Sequence, residues 1–325
     1  MENKSNILQA FAIDSTGKGD ALTNDAVSKI IKNDTLAWIH LDAGHADTRA
    51  WLKQEISYLD HIVIDALLAD ETRPRIMEFE NGALMILRGV NLNKDAEPED
   101  MISIRLWIDA KRIITIQHRP LKAIKDIQEL LKAGKGPKNS GDFIAMLASR
   151  LFERMEPVFS ELDENLDDVE ERVMESPDTK ERQEITTIRK QAIIFRRYIA
   201  PQRDVISHLR TSDQPWLEQI HKRRLQESLD RVIRYVEDLD TIRERAQIVK
   251  DELSNALADR MNKNMYVLSV IAAIFLPLGF FTGLMGINIG GMPGVDDTNA
   301  FWIFSGLLTV IVILQIIIFK KLKWF

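Results

Sequence analysis

The residues best suited to bind a cation lie together near the C-terminal end of the sequence. Six of the fifteen glycines fall between Gly279 and Gly294, and among them is the tripeptide Gly286-Ile287-Asn288. An asparagine at the edge of an apolar segment is a costly polar group unless it faces water or a partner. Its carboxamide oxygen suits a hard dication that keeps much of its water. Two interpretations stand: Asn288 lines a water-filled mouth, or it lies in a turn after a helix that Gly286 terminates.

Two apolar stretches flank this cluster, at residues 265–285 and 300–319, and neither contains a charged residue. Each has about 20 residues, the length that crosses a hydrocarbon core of roughly 30 Å as a helix. Two adjacent stretches without a polar face argue against buried core helices. The sequence predicts a multi-pass membrane protein with two transmembrane helices.

The charges beside these stretches predict the orientation. Arg260 and Lys263 precede the first stretch, and the tail at 320–325 is basic. The loop at 286–299 has no Lys or Arg and carries Asp296 and Asp297. Short basic flanks stay in the cytoplasm. We therefore expect both termini in the cytoplasm and an external loop whose two aspartates attract cations.

Residues 1–141 show mostly the pattern of β-strands, with apolar or alternating runs bounded by turn residues. The runs are 7–13, 36–42, 75–80, 83–90, 102–109 and 112–118. Asn81-Gly82 and Ala110-Lys111 predict two-residue hairpin turns, and helices are expected near 46–57, near 60–70 and after Pro120. The prediction is an α+β domain with a mostly antiparallel sheet, followed by a linker at 134–141.

Residues 142–264 are charged and helical in pattern, and they predict a cytoplasmic stalk or funnel. Helices are expected at 142–175 and at 178–211, and a third is expected from Trp216 into the first apolar stretch. The apolar positions of this third helix alternate in steps of three and four, which is typical of a coiled-coil seam. They are Leu225, Leu229, Val232, Val236, Leu239, Ile242, Ala246, Val249, Leu253 and Ala256.

Two helices per chain cannot enclose a polar path, so a pore requires an oligomer with the first apolar helix around its axis. The distribution of polar residues favours the first helix as the inner one, because the main polar residue of the second helix is Gln315. The pore-lining candidates of the first helix are Asn262, Ser269 and Thr282. Gly279 and Gly283 form a G-x-x-x-G pair that permits close helix approach in lipid.

A run of acidic residues in the stalk has two interpretations. The run comprises Glu161, Asp163, Glu164, Asp167, Asp168, Glu170 and Glu171. It is either a solvated helix face or a cytoplasmic cation-sensing site, for which the candidates are Asp163, Glu164, Asp167, Asp168 and Glu171. Opposing it is a basic set that could pair with it across a helical hairpin: Arg189, Lys190, Arg196, Arg197 and Arg203.

Several function classes lack support in the sequence. There is no P-loop, dinucleotide-binding glycine turn, H-E-x-x-H or G-x-S-x-G motif, so we expect no enzyme and no cofactor. The chain has no cysteine, and its six histidines lack metal-ligand spacing. With a pI near 5.7 it offers no electrostatic case for binding nucleic acid.

The tripeptide Gly286-Ile287-Asn288, at the end of the first of two C-terminal apolar stretches, resembles the hallmark of the CorA superfamily of divalent-cation transporters. Magnesium-transporting members mostly carry Met at the position of Ile287. The following 289–294, IGGMPG, is similar to the zinc-transporter ZntB branch instead. Further similarity to that branch lies at 71–75, ETRPR, and in the stretch 189–204, which contains RKQ and RRYIAPQRD.

The resemblance implies a homopentamer in the bacterial inner membrane, with Gly286, Ile287 and Asn288 at its outer ion filter. It implies Zn²⁺ as the transported ion, with Cd²⁺, Ni²⁺ and Co²⁺ as related ions, and uptake coupled to a proton gradient. No apolar stretch contains a carboxylate or a histidine, so the proton-coupling residue has no candidate. The alternatives are a CorA-type Mg²⁺ or Co²⁺ channel and, in a different class, a membrane-anchored sensor without transport.

Overall fold

The structure, a computed structural model, describes residues 5–70, 72–286, 294 and 297–321. The chain forms two compact units, one ending at Asp251 and the other beginning at Glu252. The sheet and the helices predicted as a stalk belong together to the first unit as far as Asp251. The domain limits predicted at 141 and 264 stay a prediction.

Within the described residues, seven strands form one sheet in the order β2-β1-β3-β7-β6-β5-β4. Neighbouring strands are antiparallel except β3 and β7, which are parallel, so the predicted mostly antiparallel sheet is confirmed. The strands are β1 Ile7–Ile13, β2 Gly19–Ala21, β3 Ala37–Asp42, β4 Arg75–Phe79, β5 Gly82–Gly89, β6 Ile102–Asp109 and β7 Arg112–Gln117.

The four central strands are apolar on both sides because helices cover both faces of the sheet. Helices α1 Asn24–Ile30, α2 Thr48–Glu55 and α3 His61–Leu68 pack on one face, around Ile39 and Ile114. On the other face Trp38 meets Phe143, from the helix Ser140–Glu153, edge to face, with ring centroids 5.0 Å apart. Successive side chains of β3 therefore alternate between the two cores, one on each face of the sheet.

The hairpin turns follow the sequence closely. Ala110-Lys111 joins β6 and β7 as predicted. The first hairpin is shifted by one residue, because Phe79 pairs with Gly82 and the two loop residues are Glu80 and Asn81. Gly82 belongs to β5, where a Cβ would lie 2.7 Å from the Ile108 carbonyl oxygen, so close strand packing explains this glycine.

The remaining helices include one correction to the sequence prediction. They are α4 Lys122–Lys132, α5 Ser140–Glu153, α6 Glu156–Glu175, α7 Glu181–Thr211, α8 Gln219–Met285 and α9 Ala300–Lys321. The single helix predicted over 142–175 is wrong, because it consists of α5 and α6. Pro157 lacks an N–H to bond the Glu153 carbonyl, and it fits the first turn of a new helix instead.

The predicted linker at 134–141 is a short, packed connection. The N–H of Gly136 donates to the Gly17 carbonyl at 2.8 Å. The Oδ1 of Asn139 accepts from the N–H of Asp142 at 2.8 Å and caps α5. The start of α5 therefore lies inside the segment whose composition suggests a linker.

Helices α6 and α7 and the N-terminal half of α8 pack against one another. Phe159 contacts Phe195 of α7 and Tyr235 of α8, with ring centroids 5.0 and 5.2 Å apart. The predicted seam of α8 is buried from Leu225 to Val249. The coiled-coil spacing therefore identified the buried face of this helix correctly.

The second unit contains the two apolar helices. The C-terminal part of α8 and all of α9 are long and apolar enough to cross a membrane. Their large apolar side chains are exposed, with Leu276 74% and Trp302 73% exposed. A soluble protein would bury such side chains, so these surfaces are suited to lipid or to other copies of the chain.

Candidate functional site

The partly buried side chains of the first apolar stretch lie on a single stripe of α8. From residue 265 to 285, this stripe comprises Val270, Ala273, Ile274, Pro277, Leu278 and Phe281. Gln315 of α9 contacts Ala273, and Leu278 shares a groove with Leu308 and Val312. The stripe therefore faces α9.

An exposed side of α8, next to this stripe, carries polar and small residues. On a helix with about 100° per residue, Ser269 lies about 140° from Ile274 and about 40° from Ala273, so it borders one edge of the stripe. Asn262 and Gly283 lie within about 20° and 40° of Ser269. All three are exposed. The Oγ of Ser269 donates to the Met265 carbonyl at 2.8 Å, which leaves the oxygen's lone pairs available on this face.

Thr282 does not share that face with the other two pore-lining candidates. It lies about 140° around the helix from Ser269 and lines the groove with Leu308 and Thr309 of α9. Its Oγ1 donates to the Leu278 carbonyl at 2.9 Å. The structure thus brings Asn262 and Ser269 to one face and places Thr282 beside the second apolar helix.

The glycine pair of α8 is open in the single chain. A Cβ added at Gly279 or Gly283 would meet no described atom within 4 Å. Within the described residues this pair does not bring α8 close to α9, although that approach is what a G-x-x-x-G spacing permits. Gly279 lines the groove beside Leu308 and Thr309 of α9, and the exposed Gly283 is available to another copy of the chain.

At the end of α8, the N–H of Gly286 donates to the carbonyls of Thr282 at 2.9 Å and Gly283 at 3.2 Å. Gly286 thus closes the last turn of the helix. Ile287, Asn288 and Asp296 lie outside the described residues. Before α9, the Oδ1 of Asp297 accepts from the N–H of Asn299 at 2.8 Å.

Pro277 and Gln315 are linked through one backbone carbonyl. Because proline has no N–H, the carbonyl of Ala273, four residues earlier, lacks its helical partner. The Nε2 of Gln315 in α9 donates to that carbonyl at 3.4 Å. The main polar side chain of the second apolar helix therefore supplies the hydrogen bond that the first helix lacks.

The acidic run of α6 is paired with a residue that the sequence interpretation did not consider. Arg245 of α8 binds Asp163 at 3.0 Å, Glu170 at 2.7 Å and Asp167 at 2.5 Å. Asp167 and Glu170 raise the pKa of Arg245 above its ordinary value, mainly because they accept hydrogen bonds from its guanidinium.

The expected pairing with the basic residues of α7 is therefore wrong for these three carboxylates. Arg196, a member of that basic set, binds Asp240 of α8 at 2.6 Å instead. Glu164, Asp168 and Glu171, the other sensing candidates, make no ion pair in the described part of the chain.

The described residues hold no group of three or more His, Asp or Glu side chains arranged to bind a metal. His40 is buried, and its Nδ1 lies 2.8 Å from the Thr115 Oγ1, which also accepts from the Trp38 indole. Burial lowers the pKa of His40 to about 4. It is therefore a neutral core residue.

Sequence reasoning missed the link between α8 and α9 and the role of Arg245. Pro277 signals a carbonyl without a partner four residues earlier, and Gln315 is the conspicuous polar residue of the second stretch. Their pairing depends on the register between two helices, which sequence spacing does not supply. The position of Arg245 next to Ala246 of the seam signals that it lies near the helix interface.

Comparison with known proteins adds a family. The family model described as "CorA-like Mg2+ transporter protein" matches residues 33–321. The divalent cation transporter CmaX of Pseudomonas aeruginosa is 37% identical, over 98% of this chain and 96% of the relative. The zinc transport protein ZntB of Yersinia enterocolitica is 35% identical, with the same shares covered.

Solved structures agree with these relatives. The structure of the full-length CmaX protein matches with a TM-score of 0.86 and 35% identity, and the match covers 100% of both chains. The complete structure of the CorA magnesium transporter from Methanocaldococcus jannaschii matches with a TM-score of 0.80, over 97% of this chain and 98% of that chain. At 20% identity, the second match shows the fold alone.

Proposed function

Because the chain belongs to the CorA family of divalent cation transporters, which are membrane proteins and not enzymes, we propose that it carries zinc across the bacterial inner membrane. The ion would pass through a path that several copies of α8 enclose, in a homopentamer. Both termini would lie in the cytoplasm, as the basic flanks suggest.

The observation that carries this proposal is the division of α8 into two faces. One face packs on α9, and the face with Asn262, Ser269 and Gly283 is exposed in the single chain. A polar face in a membrane must meet water or protein. A ring of α8 helices with α9 outside satisfies that condition.

The outer end of the path would be the filter formed by Gly286, Ile287 and Asn288. A ring of Asn288 side chains presents uncharged oxygens, which bind a hydrated dication weakly enough to release it. Asp296 and Asp297 would raise the local cation concentration in front of that ring. Asp297 precedes α9, which is consistent with this position.

Zinc is the favoured ion because relatives at 35% identity over nearly the whole chain are named zinc transport proteins. Magnesium is the second candidate, since the description of the matching family model names that ion. Co²⁺, Ni²⁺ and Cd²⁺ are further ions to compare. The sensing role of the acidic run in α6 stays a proposal, now centred on Glu164, Asp168 and Glu171.

The test is ion flux into liposomes that contain the purified protein. We expect saturable Zn²⁺ uptake, and a pH gradient across the liposome membrane tests whether protons drive it. Asn288→Ala should change the flux or the ion preference without changing the oligomer. Asn299→Ala, in the same loop, is the matched control and should transport normally.

Magnesium flux without zinc flux would replace the zinc assignment with the magnesium one. No flux of any divalent ion, together with a dimer in detergent, would favour a membrane-anchored sensor instead. Normal flux together with an unchanged ion preference in Asn288→Ala would show that the filter lies elsewhere.

A further inference from the structure

The first unit contains a basic cleft of about 640 Å³ that the proposed transport path does not use. It is lined by residues that follow α3, by β5 and β6, by residues after β7 and by α7. Two segments that carried the family resemblance contribute to it, because Thr72, Arg73, Arg197 and Tyr198 all line it. Its volume lies within the range of small-molecule sites, roughly 300–1,000 Å³.

The charge of this basic cleft is unbalanced. Among the described residues, four arginines line it, Arg73, Arg88, Arg119 and Arg197, against two aspartates, Asp70 and Asp100. Arg119 binds Asp100, so that carboxylate is already engaged. The pKa of the lining His118 is lowered by burial and by Arg105, so this histidine is neutral at pH 7.

Arg88 is fixed in place by neutral acceptors. Its Nη2 and Nε donate to the Thr72 carbonyl at 2.7 and 3.1 Å, and its Nη1 donates to the Met101 carbonyl at 2.8 Å. Its guanidinium lies over the Tyr198 ring, 4.1 Å from the centroid. These contacts orient the group but leave its positive charge without a counter-charge of its own.

Arg197 contacts the same ring from 4.7 Å and donates to the Tyr198 hydroxyl at 2.8 Å. Tyr198 thus positions two guanidinium groups beside each other. Arg73 is exposed and makes no ion pair in the described part of the chain. The cleft therefore presents arginines that are free to bind a ligand beside arginines that are already oriented.

Arg105 adds a second, independent observation. It is wholly buried. In the strand register Ser103 pairs with Arg88, and Arg105 lies two residues after Ser103 in β6, so all three lie on the same face of the sheet. Its Nη2 donates to the carbonyls of Ala69 and Asp70 at 2.6 and 3.0 Å. Its Nε and Nη1 have no partner among the described residues. Buried polar groups are nearly always hydrogen-bonded, so these two donors point to a partner outside the described residues, for which a ligand or a water is suited.

The Oγ1 of Thr72, which also lines the cleft, is likewise buried without a partner. Burial and the neighbouring Arg88 lower the pKa of Arg105 to about 10. Like charges held together at low dielectric repel one another, and a bound anion would relieve that repulsion.

We propose that the basic cleft is a binding site for a water-soluble anion with two or more phosphate groups. Arginine forks match phosphate oxygens in pairs, and several guanidiniums spread over one cleft require more than one anionic group. Both arginines that contact Tyr198 lie close to its ring, so the aromatic face does not serve as a stacking platform for a base. The phosphate groups are therefore the recognised part of the ligand.

The test uses the full-length protein in detergent, free of divalent metal, titrated calorimetrically with pyrophosphate at constant ionic strength. We expect saturable binding with one ligand per chain. Arg73→Gln with Arg197→Gln should raise the Kd roughly tenfold or more, because two charge-assisted contacts are lost. Arg73→Gln alone should raise it a few-fold, and since Arg73 makes no ion pair within the described residues, this variant should fold normally.

The matched control is Arg182→Gln with Arg210→Gln, which removes the same charge from two other exposed positions of α7. It should leave the Kd within about twofold of the native value, since a distant exposed charge acts only through a screened field. No saturable pyrophosphate binding to the native protein would overturn the proposal. Equal weakening in the control and in the cleft variant would overturn it as well, because it would show attraction to net charge alone.

Discussion

Replacing Gln315 by Leu tests whether α9 stabilises α8 at Pro277. The side chain keeps a similar size but loses the Nε2 that donates to the Ala273 carbonyl at 3.4 Å. Hydrogen bonds between membrane helices contribute about 0.6 kcal/mol on average and about 1.7 kcal/mol at most. At 3.4 Å this bond is long, so we expect a contribution in the lower half of that range.

The single variant alone does not isolate this contribution, because Leu also removes the Gln315 Oε1, which is buried without a partner among the described residues. A double-mutant cycle with Pro277→Ala does isolate it. Alanine restores an N–H four residues after Ala273, so the carbonyl no longer depends on α9. Gln315→Leu should then cost less in the Pro277→Ala background by about 0.6 kcal/mol.

The assay is reversible unfolding of the purified protein in mixed micelles, followed for all four members of the cycle. Equal costs of Gln315→Leu in both backgrounds would refute the argument, because they would show that the Ala273 carbonyl does not depend on Gln315. A larger cost in the Pro277→Ala background would refute it too.

Two further predictions concern the first unit. Arg245→Gln should lower the free energy of unfolding by about 1 kcal/mol, since the ion pairs of Arg245 with Asp163, Asp167 and Glu170 are only partly buried. Added Mg²⁺ should raise the melting temperature of this variant more than that of the native protein. Equal effects of Mg²⁺ on the two proteins would contradict the pairing. Burial lowers the pKa of His40 in the folded protein to about 4, from an ordinary 6.5. Between these pH values the unfolded chain therefore binds more protons than the folded one. The free energy of unfolding should fall as the pH drops from about 6.5 to 4, by about 3 kcal/mol at most. Melting temperatures across this range should fall less steeply in His40→Asn, and identical pH profiles would show that His40 does not titrate as inferred.

Much of the sheet could be predicted from the sequence, because its central strands are continuous apolar runs separated by turn residues. Strand β2, Gly19–Ala21, has only three residues and carries no alternating pattern, so it was missed. The turn predicted before β5, at Asn81-Gly82, lies one residue later than the turn in the structure, because Gly82 pairs with Phe79 and belongs to the strand. The break before α6 carried a signal, Pro157, that the charged helical pattern around it obscured.

The candidate site could be predicted only in part. Composition located the two apolar helices, but which face of α8 meets α9 depends on packing. Helical spacing alone separates Thr282 from Asn262 and Ser269, but only packing shows that Thr282 lies beside Leu308 and Thr309 of α9. The basic cleft joins Arg73 to Arg197, and residues so far apart in sequence come together only through the fold.

The absence of cysteine from the chain permits a direct test of the proposed path. Ser269→Cys places a thiol on the exposed polar side of α8, and Ile274→Cys places one on the stripe that faces α9. In liposomes that take up Zn²⁺, a charged, water-soluble thiol reagent should block uptake through the Ser269→Cys protein and leave the Ile274→Cys protein unaffected. Block of Ile274→Cys with full transport by Ser269→Cys under the same reagent would contradict a path along the exposed face of α8.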